Sequence, residues 1–205
     1  MAPKKEGEQD EDWFAQLDAQ LERETEKVYK DKAELDSQKR MVNKALIEDF
    51  WKIWKRFDEA KVHMTIDPAP EVFATYESYP DVWHFKGDFR FEDVKGFQIV
   101  DHTPDQNRIG DAIKAWYYLS DSTLRLRMIF EYCEGEHYYK YAGWKRIFAQ
   151  FIVYDAPLNK MSMEDLHKKM SGVIKAWYES HLKKDREIVI KHLKENYERG
   201  ETFTE

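Results

Sequence analysis

The densest run of side chains able to do chemistry is Asp101-His102-Thr103-Pro104-Asp105-Gln106-Asn107-Arg108. An imidazole set among carboxylates can accept a proton, pass it on, or ligate a metal. Such chemistry needs a further group from elsewhere in the chain, and no spacing names one. Asp, Asn, Pro and Thr are also the residues a turn prefers. The segment therefore reads first as a hairpin loop. As an enzyme site it would use His102 with Asp101 or Asp105 as acid–base group, in a small cavity enzyme of the hydrolase, cyclase or isomerase type acting on an apolar or aromatic substrate.

The remaining candidates are more diffuse. His84, His137, His167, His181 and His192 show no His-x₃-His spacing, and Cys133 is the one cysteine. A structural zinc site takes about four ligands, so no metal or other cofactor is expected. Cys133 follows Glu131 and precedes Glu134. Neighbouring carboxylates disfavour a thiolate, so it reads as a structural thiol. Arg125 and Arg127 share one face of a strand, with Lys114, Lys140, Lys145 and Arg146 near in sequence. With Tyr138, Tyr139 and Tyr141 they suggest a basic, aromatic surface for single-stranded nucleic acid. A net charge of −7 argues against that partner.

Aromatic rings carry a different expectation. Trp83, Phe85, Phe89 and Phe91 alternate with polar residues, and Trp116 and Trp144 follow later. Rings on one face of a curved sheet can line a groove or cavity for an apolar ligand. A second cluster, Trp13, Phe14, Leu17 and Leu21, opens a helical pattern and is the candidate surface for a protein partner or for self-association.

The elements that must position these residues follow from periodicity. Residues 1–12 are nearly all polar or charged and read as a disordered tail. Residues 13–63 contain no proline or glycine and read as a long amphipathic helix. Phe14, Leu21, Val28, Leu35 and Val42 recur every seven residues, but the companion positions Glu24, Asp31 and Gln38 are polar. Such a seam is too thin for a self-sufficient coiled coil. The helix is thus expected to be exposed over 13–37 and packed over 38–63, where Val42, Leu46, Phe50, Ile53, Trp54 and Phe57 widen the stripe. A break near Asp36-Ser37 is the alternative, and Asp67-Pro68 is the expected stop.

From residue 64 onward the pattern predicts a sheet closed off by a helix over 162–198. Strands are read at Trp83–Phe91, Phe97–Val100, Ala112–Leu119 and Leu124–Cys133, and His137–Tyr141 with Ile147–Tyr154 completes the sheet as one bent strand or as two broken near Gly143. Turns are expected at Asp121-Ser122 and at Glu134-Gly135-Glu136, and the last strand is placed centrally. Ser162 is the expected N-cap of the terminal helix, and Gly200 its stop. The fold class is α+β, an antiparallel curved sheet of about five to six strands flanked by long N- and C-terminal helices.

In layout, residues 82–198 resemble the helix-grip (START-like) arrangement, a curved sheet wrapped on a helix around a lipid-type cavity. A cone-shaped sheet of the nuclear-transport-factor type is a second resemblance. Both imply a pocket rather than a chemistry. With no apolar secretory leader and no span of roughly 20 apolar residues, the expected setting is cytoplasmic. The leading expectation is a non-enzymatic binding or assembly protein.

Overall fold

The computed structural model describes residues 7–67, 94, 96–103, 110–140, 142–200 and 202–204, with the backbone alone for residues 7–17, 203 and 204. Helix α1 is one unbroken element, Gly7–Glu59, of 53 residues. It starts inside the segment read as a tail and passes Asp36-Ser37 without interruption. Its second half buries Val42, Leu46, Ile47, Phe50, Ile53 and Phe57 in the core. Each such side chain contributes about 1.5–3 kcal/mol when fully buried, which is why this half is anchored. From Leu21 to Glu34 the helix is exposed.

The helix ends earlier than Asp67-Pro68. Val62 N donates to Phe57 O at 3.0 Å and Lys61 N to Asp58 O at 2.8 Å, the paired bonds of a Schellman cap. Lys61 takes the left-handed position, at φ 63°. Strand β1, Met64–Asp67, then begins where the sequence reading continued toward a stop.

Strands β2 (Gly96–Asp101), β3 (Ala112–Ser120), β4 (Thr123–Tyr139) and β5 (Gly143–Pro157) extend β1 into an antiparallel meander ordered β1-β2-β3-β4-β5. The sheet is open, and two two-residue strands, β6 (Glu198–Arg199) and β7 (Phe203–Thr204), pair with β5 beyond β4. The expected strand Trp83–Phe91 and the turn before it lie outside the described residues.

Asp121 (φ 48°) and Ser122 (φ 59°) join β3 to β4 with Ser120 opposite Thr123. Two left-handed residues between paired strands make a two-residue turn of the I′ type. The second expected turn is absent. At Glu134-Gly135-Glu136 the strand continues, because Cys133 faces Phe148, Gly135 faces Ile147, and Glu134 is left over as a bulge. The chain reverses instead beyond the pair Tyr139–Gly143, with Gly143 at φ 74°.

Along β4 the pleat sends Leu126, Met128, Phe130 and Tyr132 into the core, together with Ile113 and Ala115 of β3. Arg125, Arg127, Lys114, Trp116 and Tyr118 face the other way. The core is closed by α1 and by two further helices, α2 (Met163–Leu182) and α3 (Glu187–Asn196). Ser162 caps α2, its hydroxyl accepting from Asp165 N at 3.2 Å. The single terminal helix expected over 162–198 is broken at residues 183–186. There Asp185 N donates to Ser180 O at 2.9 Å and Lys184 sits at φ 52°, a second Schellman cap with lysine in the glycine position.

Candidate functional site

The Asp101–His102 pair does not assemble as an acid–base unit. Adjacent residues of an extended chain point to opposite sides, and β2 carries Asp101 inward. Asp101 is fully buried, with Oδ1 accepting from Thr103 N at 2.8 Å. Its imidazole neighbour is His181 of α2, whose Nε2 lies 2.9 Å from Oδ2, off the direction of a hydrogen bond. His102 turns outward, with Nε2 2.8 Å from Thr65 Oγ1. Asp105 lies outside the described residues.

A second buried carboxylate sits beside this pair. Asp111 O accepts from Asp101 N at 2.8 Å, and the Asp111 carboxylate takes the Arg186 guanidinium. Arg186 also donates to Cys133 O at 3.0 Å and lies over the Tyr132 ring at 5.2 Å. Asp101, His181, Asp111 and Arg186 thus bolt the α2–α3 corner to the ends of β2 and β3. His181 and Asp101 side chains are 6% and 0% exposed, so no substrate reaches them. The 173, 177, 181 spacing puts His181 on the face of buried Val173 and Trp177.

The outer sheet face carries Arg125 and Arg127 together, as the alternation required. Both converge on Asp155 of β5, with Arg125 NH2 2.8 Å from Oδ1 and Arg127 NH2 2.6 Å from Oδ2. Tyr118 donates to the same carboxylate at 2.8 Å. Burial pushes the Asp155 carboxyl up, but the hydrogen bonds from Tyr118, Arg127 and Arg125 outweigh it and hold it below its usual range. Lys114 reaches Glu131 at 2.7 Å, and Gln150 donates to the other oxygen at 3.0 Å. These cations are committed to carboxylates of their own sheet. On the core face, Tyr117 donates to Asn43 Oδ1 of α1 at 2.5 Å, and burial pushes its hydroxyl up strongly.

Of the six rings expected to line a cavity, Trp83, Phe85, Phe89 and Phe91 lie outside the described residues. The other two are far apart. Trp116 is opposite Arg127 on the outer face, whereas Trp144 is opposite Tyr138 near the hairpin end. The intervening stretch of β4 spans roughly 35 Å at strand rise. Trp144 is 71% exposed and meets the Tyr138 ring edge-to-face at 5.6 Å. Trp13, Phe14 and Leu17 belong to α1, with side chains outside those described. Leu21, the fourth residue of that cluster, is 52% exposed.

A concavity that sequence reasoning did not single out runs between α1 and α2, with a volume of about 420 Å³. Ile53, Met170, Ile174 and Tyr178 supply an apolar floor, and Lys52, Arg56 and Lys175 stand on its rim. His167 Nε2 lies 2.6 Å from Asp49 Oδ2 across one end, and Arg56 lies over the Tyr178 ring at 5.3 Å. The signal was present as apolar residues at i, i+4 on α2, but their partner across the groove is set only by tertiary packing. The groove can hold an apolar surface flanked by negative charge. Among the described residues, no group of three or more His, Cys, Asp or Glu side chains is placed to hold a metal, and no helix is long and apolar enough to cross a membrane. No family model, curated protein or solved structure matches the chain.

Proposed function

We propose that this chain is a non-enzymatic binding or assembly protein that works through the free half of α1. The observation that carries the reading is the exposure of that half: Leu21, Val28 and Tyr29 are 52%, 66% and 70% exposed on a helix continuous with the core. A solvated helix of this length is marginal by itself, so covering it with a partner gains stability as well as recognition. The α1–α2 groove offers an apolar surface for the second part of the reading.

The alternative enzyme reading has less support. Asp101 is closed off in the core, and His102 engages Thr65 rather than a carboxylate. The basic-face reading is weakened in the same way, since Asp155 is shared by Arg125 and Arg127 and Glu131 holds Lys114.

Deleting residues 1–32 tests the proposal. At a concentration where the full chain is monomeric, the truncated chain should unfold within about 0.5 kcal/mol of it, because surface changes remote from packing have effects of that size, and at higher concentration it should lose the association measured by sedimentation. A truncated chain that melts much earlier than the monomeric full chain would make the arm part of the core and end the reading.

A further inference from the structure

We infer that the groove between α1 and α2 receives the acidic N-terminal part of α1 from a second copy of this chain. The inference rests on the assembly reading and names its partner.

Charge is the first argument. Residues 7–26 carry eight carboxylates and one cation, Arg23, whereas residues 39–56 carry six cations against Glu48 and Asp49. One helix therefore has an acidic free end and a basic packed end. The groove lies along the basic end, with Lys52, Arg56 and Lys175 on its rim. Lys52 and Arg56 make local i,i+3 pairs, with Asp49 and Glu59, on side chains 72% and 65% exposed, and Arg56 also lies over the Tyr178 ring. Exposed pairs of that kind are worth about 0–1 kcal/mol and exchange readily for new ones.

Dimension is the second argument. Helix-in-groove recognition uses anchors at i, i+3 or i+4, and i+7. Phe14, Leu17 and Leu21 have that spacing in the sequence and span about 10 Å at helical rise. The α1 side of the groove, from Asp49 to Phe57, spans about 12 Å by the same measure.

Topology then selects the occupant. Because α1 is unbroken, Leu21 and Ile53 of one chain are held about 48 Å apart along a single rod. An arm cannot fold back into its own groove. Two antiparallel copies of α1 can each place residue 17 beside residue 53 of the other, with the twofold axis near Leu35. Both grooves then fill at once and the assembly closes as a dimer.

The test is the mass of the full chain by sedimentation equilibrium, at low and high salt. A dimer weakened by salt is expected. Lys52→Glu with Arg56→Glu and Lys175→Glu should weaken it roughly 100-fold, as should Leu21→Asp. A chain with Asp18→Lys, Glu22→Lys and Glu24→Lys should not pair with itself but should pair with the groove-reversed chain. Circular dichroism and the melt confirm that each variant folds. A full chain that stays monomeric at low salt, a dimer that survives groove reversal, or a failed pairing of the two swapped chains would each overturn the inference. A monomer whose residues 1–32 can be deleted without loss of stability would leave the assembly reading standing with a different partner. An early melt of the deletion relative to the monomeric full chain would remove both.

Discussion

Asp155 shows what a single carboxylate does on this sheet. It holds two guanidiniums and a phenol in place across β3, β4 and β5. Its carboxyl is held below the usual range, so its contribution to stability is complete above the unfolded value of about 3.9. That contribution is lost as pH falls through the lower folded value. Asp155→Asn should therefore cost about 2 kcal/mol at neutral pH, the scale of a charged hydrogen-bonded group, and less at pH 2. Urea unfolding at the two pH values measures the difference. His181→Ala should be more severe, roughly 3 kcal/mol, because it empties a buried site where the ring packs against Phe57 and Trp177. A midpoint shift in urea with unchanged slope reads it. Of this residue-scale detail, the sequence showed only that Arg125 and Arg127 share a face. It could not show Asp155 or His181 as partners, because each comes from an element brought near by tertiary packing. The run from Asp101 to Arg108 looked dense in function because inward and outward residues of one extended segment sit side by side in the sequence.

At the scale of elements, periodicity was readable wherever one face met the core. The stripe from Val42 to Phe57, the β3–β4 turn at Asp121-Ser122 and the Ser162 cap were all visible before any coordinates. What stayed hidden were stops and irregularities without a compositional marker. Lys61 and Lys184 occupy left-handed cap positions normally given to glycine, so α1 seemed to run on and α2 seemed fused to α3. Gly135 had the opposite effect. It looked like a turn, while the strand absorbed its neighbour Glu134 as a bulge and continued. The lysine caps give a prediction at this scale. Lys61→Gly and Lys184→Gly should each raise stability by about 1 kcal/mol, the penalty of a side chain in the left-handed region, measured as an increase in the denaturant midpoint. Little change in both would mean that other contacts of the lysines compensate.

For the whole molecule, the division of α1 into a packed and a free half should appear in hydrogen exchange. Amides from Leu21 to Glu34 should exchange like those of an isolated helix, whereas those from Leu46 to Phe57 should approach the global limit. Protection of the free half that depends on protein concentration would report its burial between copies. The length of α1 has a practical consequence as well. Its 53 residues form a rod of about 80 Å, whereas a compact globule of this chain length has a radius of gyration of about 17 Å. Drag grows with the longest axis, so a lone chain will elute from a sizing column ahead of spherical standards of equal mass. Elution position would mistake one molecule for two, and only a shape-independent weight can count the copies.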